Sequence, residues 1–190
     1  MTRLAPFSVC VYCGSRAGTD PAHLEAARAF GDGLARRGMR LVYGAGDVGL
    51  MGAVASAAQA AGGATLGVIP LHLQEREVGK RGLSHYVVTE TMHERKKVMI
   101  MNADAVVALP GGPGTLDELF EALTWRQLGL HAKPVIALNV NGYWNPLIAL
   151  IRHLADQGFC EADFPPFLES VATVDEAFAR LDPLAARLAG

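Results

Sequence analysis

Residues 103–118, ADAVVALPGGPGTLDE, decide how this chain is read. Ala105–Leu109 is a short apolar run with paired valines, the pattern of a buried strand. It enters a loop of glycine and proline, Pro110–Gly114, and the residues beyond it, Leu116–Leu128, are spaced for a helix. Strand, glycine loop and helix together make an anion site, because the exposed N–H groups and the helix dipole both favour negative charge. The first turn also carries Asp117 and Glu118. Holding a phosphate alone needs no carboxylate, so a phosphate loop with an acid beside it points to chemistry on a nucleotide.

The same alternation extends in both directions. Strands are predicted at Phe7–Tyr12, Arg40–Tyr43, Thr65–Ile69, Tyr86–Thr89, Pro134–Asn139 and Val171–Thr173. Helices are predicted from Asp20–Pro21 (an N-cap and a first-turn proline) to about Arg37, then at Leu50–Ala61, Met92–Asn102, Asn145–Gln157 and Asp175–Leu188. Residues 71–84 are polar and irregular, the composition of a mobile flap. The expectation is an α/β fold in which residues 1–190 form a single doubly wound, Rossmann-like domain. Its sheet is mostly parallel, with helices on both faces. Ligands bind such sheets beyond the carboxyl ends of the strands, where the loops at Gly14–Ser15, Gly44–Gly49 and Gly111–Gly114 would share one edge.

Composition narrows the classes. With 51% hydrophobic and 19% charged residues the chain is globular, and a net charge of −2 without a basic tail makes nucleic acid a poor partner. The apolar runs are too short or too broken for a membrane span. No signal-peptide layout precedes the first strand, and three cysteines make no disulfide framework, so a reducing cytoplasm is expected.

Several motifs admit both a structural and a functional reading. Gly44-Ala-Gly46-Asp-Val-Gly49 matches the dinucleotide fingerprint, but the next strand ends in Pro70 without the acid that would hold a ribose. What remains is a tight turn, or a phosphate or ribose contact through Gly46. Cys10-Val-Tyr-Cys13 lacks a second ligand pair and reads as packing, and the six histidines show no metal-ligand spacing. Thr115-x-x-Glu118 fits a capping box, as does Thr91-x-x-Glu94, so Glu118 is either a helix cap or an acid of the site. Arg95, early in the helix leading to the key strand, is either part of a solvated charged face or an anion-binding fork at the glycine-loop edge.

Met92-His-Glu-Arg-Lys96 followed by Pro110-Gly-Gly-Pro-Gly-Thr-Leu-Asp-Glu118 resembles the Lonely Guy (LOG) family. Its members are cytokinin riboside 5′-monophosphate phosphoribohydrolases, some of which carry the label lysine decarboxylase. Cys13-Gly-Ser15, the Gly44–Gly52 segment, Thr124-Trp-x-Gln-Leu-Gly129 and Lys133-Pro match as well, so the resemblance runs from about Val9 to at least Leu147. It implies hydrolysis of the N-glycosidic bond of a nucleoside 5′-monophosphate (a cytokinin riboside monophosphate or AMP), releasing free base and ribose 5-phosphate. Arg95 and Glu118 match the catalytic pair. Gly111, Gly112, Pro113, Gly114 and Thr115 match the phosphate loop, extended by the N–H groups of Leu116 and Asp117. Lys96 and Thr124 match further substrate contacts, and Ser15 lies in a matching loop.

The resemblance implies a homodimer with no cofactor and no metal. Position 113 departs from the family pattern, since proline removes one N–H donor. Residues 75–90 match plant members poorly, which leaves the base preference open.

For that reaction, Glu118 held ionised by the helix N-terminus and Arg95 would stabilise an oxocarbenium-like sugar and direct the attacking water. The alternative reading is a non-catalytic nucleotide-binding module using the same cleft. A decarboxylase built on pyridoxal phosphate would need a Schiff-base lysine, and Lys80, Lys96, Lys97 and Lys133 lie in no recognisable cofactor motif.

Overall fold

The computed structural model describes residues 6–74, 82–161 and 164–189. Seven strands form one sheet: β1 (Ser8–Tyr12), β2 (Arg40–Tyr43), β3 (Thr65–Pro70), β4 (His85–Thr89), β5 (Ala105–Ala108), β6 (Val135–Leu138) and β7 (Leu168–Val171). Between and after them run α1 (Pro21–Arg36), α2 (Gly49–Ala60), the single turn α3 (Leu71–Gln74), α4 (Met92–Met101), α5 (Pro113–Gln127), α6 (Asn145–Asp156) and α7 (Val174–Ala189). Every pairing is parallel and the strand order is β4-β3-β2-β1-β5-β6-β7.

Alternation along the strands feeds two cores, as expected of a sheet covered on both faces. Val9 and Val11 of β1 pack with Phe30, Val54 and Phe178 from α1, α2 and α7. Cys10 and Tyr12 point the other way, toward Met99, Leu119 and Ile151 from α4, α5 and α6. Cys13, three residues after Cys10, therefore falls in the opposite core, and burial raises both thiols far above their ordinary range. The pair is packing, as its spacing suggested.

Three expectations need correction. The last strand is Leu168–Val171, earlier than the Val171–Thr173 read from the sequence. Leu71–Gln74, at the start of the expected flap, is helical, and residues 75–81 lie outside the described residues. Helix α5 begins at Pro113 and not Leu116, because proline fits the first helical position, where its missing N–H costs nothing. That last shift decides the reading of Glu118.

Candidate active site

The strand order reverses between β1 and β5, and a cleft of about 570 Å³ opens there beyond their carboxyl ends. This is the switch point at which doubly wound sheets bind ligands, and the volume lies within the range of small-molecule sites. One wall is the loop after β1, Cys13–Gly18; the other is Pro110–Thr115 with Glu118. The two loops are joined directly, since the Gly14 amide donates to the Pro110 carbonyl at 3.0 Å.

Gly112 is the N-cap of α5, with Pro113, Gly114 and Thr115 in the first turn. Thr115 is therefore inside the helix and caps nothing; Gly112 has extended backbone and no side chain to cap with. The capping-box reading of Glu118 fails on this geometry. The same pattern at Thr91 is a real box, with the Thr91 hydroxyl accepting from the Glu94 amide at 3.1 Å and the Glu94 carboxylate accepting from the Thr91 amide at 3.3 Å.

The glycines of the loop differ in what they face. A Cβ on Gly111 would stand 2.1 Å from the Thr115 hydroxyl oxygen and 2.9 Å from the Gly14 nitrogen. Gly111 is thus needed for close packing. Around Gly112 and Gly114 a Cβ would meet, beyond the adjoining residues and the helix's own backbone, no atom of a described residue within 4 Å, although both line the cleft. No described residue excludes a side chain there, so the α5 N-terminus is open to the cleft. The amides of Gly114 and Thr115 precede the first intrahelical donor, Leu116, which is spent on the Gly112 carbonyl at 3.1 Å. The donor run is therefore shorter than the one reaching Leu116 and Asp117.

Glu118 sits one turn farther along α5, partly buried on the cleft wall. Burial raises its carboxyl to about 7, against the opposing pull of the Arg95 charge. The expectation of a firmly ionised Glu118 is corrected accordingly: desolvation outweighs the cation. Arg95 is itself buried, donating through Nε to the Val68 carbonyl at 3.1 Å and through Nη2 to the Gly44 carbonyl at 2.9 Å. It ties β3 to the loop after β2 and influences Glu118 through its charge, without a hydrogen bond between them.

Ser15 lies on the cleft with these residues. Lys96, Leu116, Asp117, Thr124 and Gly46 do not line it. Lys96 follows Arg95 on α4 and so points about 100° around the helix; its ammonium pairs with Asp117 at 3.0 Å and Glu121 at 2.9 Å. Leu116, Asp117 and Thr124 line a separate shallow groove on α5. Gly46 is buried in the loop after β2. That loop supports its neighbour: two amides in the first turn of α2, from Leu50 and Met51, donate to the Gly14 carbonyl at 3.0 and 3.3 Å. A dinucleotide's pyrophosphate would need those donors, so the GxGxxG segment is a brace for the β1 loop.

The cleft also holds residues that were not anticipated, among them Tyr143 and His23. Tyr143, after β6, donates its hydroxyl to the Gly111 carbonyl at 2.6 Å, and its ring meets the buried His23 edge-on at 5.2 Å. The signal available in the sequence was Asn141-Gly142, a turn following a strand whose carboxyl end belongs to the same sheet edge. Among the described residues no three His, Cys, Asp or Glu side chains converge as metal ligands.

Fold and cleft thus define an α/β protein with an open cleft at its switch point, lined at one end by a glycine-rich helix N-terminus and, one turn on, by a carboxyl. The chain belongs to the family described as possible lysine decarboxylase, whose model matches residues 51–181, and with it to the LOG family that its motifs resemble. It is 44% identical over 174 residues to the probable cytokinin riboside 5′-monophosphate phosphoribohydrolase LOGL1 of Oryza sativa subsp. japonica, covering 92% of this chain and 78% of that one. To the cytokinin riboside 5′-monophosphate phosphoribohydrolase LOG7 of Arabidopsis thaliana it is 48% identical over 151 residues, 80% of this chain and 70% of that one. Among solved structures, the Moco carrier protein of Chlamydomonas reinhardtii shares the fold, with a TM-score of 0.73 at 24% identity, covering 96% of this chain and 99% of that one.

Proposed function

We propose that this protein hydrolyses the N-glycosidic bond of nucleoside 5′-monophosphates, cytokinin riboside monophosphates or AMP, giving free base and ribose 5-phosphate. The observation that carries the reading is Glu118, a carboxyl raised to about 7 by burial, standing one turn from an open, glycine-lined helix N-terminus. The names of the plant relatives support the same reaction. The 5′-phosphate would sit on the Gly112, Gly114 and Thr115 backbone, so that binding energy remote from the reacting bond positions the anomeric carbon.

The C1′–N bond breaks as positive charge builds on the sugar, and ionised Glu118 stabilises that charge. Water adds to C1′; its proton passes to Glu118 and leaves with the base nitrogen. A carboxyl near 7 can take and return a proton at neutral pH, which a surface glutamate cannot do efficiently. Arg95 acts as the fixed cation that keeps Glu118 from being raised further.

No described lysine lines the cleft, which disfavours the decarboxylase reading. Lys96 is paired as above, and the Lys133 ammonium donates to the Ile100 and Ala103 carbonyls at the end of α4.

The reading extends to one 1–190 domain acting in the cytoplasm as a homodimer. No described helix is long and apolar enough to cross a membrane. Of the apolar residues of α5, Leu119 and Leu123 are wholly buried in the core and unavailable for pairing. Leu116, Phe120 and Trp125 line the outer groove, with Leu128 and Leu130 each 67% exposed just beyond. Light scattering showing a monomer at micromolar concentration would reject the dimer.

The test of function is chromatography of the base released from AMP and from isopentenyladenosine monophosphate, with Glu118→Gln in parallel. Release by the wild type and loss of most release by Glu118→Gln are expected. A wild type that binds AMP yet frees no base would make the cleft a binding module.

A further inference from the structure

We propose that Arg16 is a substrate-binding residue that reads the charge of the 5′-phosphate and so selects the nucleoside monophosphate over the bare nucleoside. This rests on the phosphoribohydrolase reading of the same cleft.

The first support is a charge balance. The N-terminus of α5 supplies roughly half an elementary charge, whereas a phosphate monoester brings nearly two negative ones. Glu118, one turn away, adds a further negative charge whenever it ionises. A cation is needed, and among the described residues only Arg16 and Arg95 are lysines or arginines on the cleft. Arg95 is committed to the carbonyls of Val68 and Gly44. The Arg16 side chain is exposed, and no hydrogen bond or ion pair engages it among the described residues.

The second support is the rigidity of its mounting. Gly14 is held on both sides, its amide by the Pro110 carbonyl and its carbonyl by the Leu50 and Met51 amides. Gly49, at φ +61°, comes so close beneath the loop that a Cβ there would stand 2.4 Å from the Arg16 nitrogen. The backbone of Arg16 is therefore packed against α2, while the residue itself is exposed and lines the cleft. Because Gly14 bonds to Pro110, the loop carrying Arg16 is anchored to the loop that opens α5. An arginine without a protein partner among the described residues, carried on a braced loop that lines the same cleft as a helix N-terminus, is a bidentate partner for phosphate oxygens at little ordering cost.

Calorimetric titration of AMP and of adenosine into the Glu118→Gln protein, with and without Arg16→Ala, tests the assignment. Arg16→Ala should weaken AMP binding about tenfold while adenosine binding stays the same, and Arg16→Lys should recover part of the loss. High salt should narrow the difference in AMP affinity between the protein with Arg16 intact and its Arg16→Ala variant, as expected of an exposed charge pair. In turnover by proteins with intact Glu118, the loss should fall on KM. Unchanged AMP affinity in Arg16→Ala overturns the proposal, and so does an equal loss for AMP and adenosine. If the wild type binds AMP but releases no adenine, the hydrolase reading fails while the binding comparison still decides Arg16. Absence of AMP binding when Arg16 is intact rejects both.

Discussion

The guanidinium of Arg95 occupies the space that a side chain at Gly44 would need: a Cβ there would stand 1.9 Å from Nη2, the nitrogen that donates to the Gly44 carbonyl. Gly44 is glycine on account of an arginine and not of a dinucleotide. Gly44→Ala should push the guanidinium out of its slot. The clash is with the end of a long side chain, so the protein should fold, with the loss of two hydrogen bonds from a charged donor costing about 1–3 kcal/mol each at most. Base release from AMP should fall at least tenfold, read by chromatography beside a thermal melt. Full activity in the alanine variant would show that Arg95 is not needed where it lies.

Much of the architecture was legible because β1, β2, β3 and β5 are largely apolar runs closed by a glycine or proline at their end or within two residues of it. Arg40–Tyr43 is bounded by Gly38 and Gly44 and coincides with β2. The start of α5 was not legible, since proline and glycine at 113 and 114 serve a loop or a first helical turn equally well. From that ambiguity came the capping-box reading of Glu118, although Thr91 and Glu94, with the same spacing, do form one. Arg95 and Glu118 could be found as residues at the right edge of the right strand. Tyr143 could not be assigned, because its tie to Gly111 depends on how β6 lies beside β5. Lys96 and Thr124 lie off the cleft because neighbours on a helix face different directions, which a linear motif does not display.

The three glycines of the Pro110–Thr115 segment should separate stability from binding. Gly111→Ala meets the Thr115 side chain and the Gly14 backbone and should destabilise the fold by about 1–3 kcal/mol, the usual cost of overpacking. Gly114→Ala lies in a helix and faces open space, so stability should hold or rise by up to about 1 kcal/mol. AMP affinity should nonetheless fall in Gly112→Ala and Gly114→Ala. Denaturant melts and calorimetry check the split, and wild-type AMP affinity in Gly114→Ala would remove the ligand from this position.

Tyr143→Phe deletes the hydroxyl that holds the Gly111 carbonyl at 2.6 Å while keeping the ring against His23 and Trp144. Stability should drop by about 1 kcal/mol, the net worth of one neutral hydrogen bond. The loosened loop should raise KM for AMP several-fold with a smaller change in kcat. Equal KM values for the two proteins would make the bond incidental to the site.

The pH dependence follows from Glu118. Burial raises its carboxyl from an ordinary 4.5 to about 7, so the folded protein holds this proton more tightly than the unfolded chain does. The resulting stabilisation is complete below pH 4.5 and is lost as pH rises through about 7. Glu118→Gln keeps a neutral side chain at every pH, so its melting temperature should gain on the wild type between those values and stay ahead by a constant margin above them. Activity should run the opposite way: in the proposed mechanism ionised Glu118 is the working form, so kcat/KM for AMP should fall on the acid side of about pH 7. Arg95 lowers this carboxyl through its charge, so Arg95→Met should move the acid limb of whatever activity survives to higher pH. A limb near the ordinary carboxylate range in the wild type would mean that another group sets the rate.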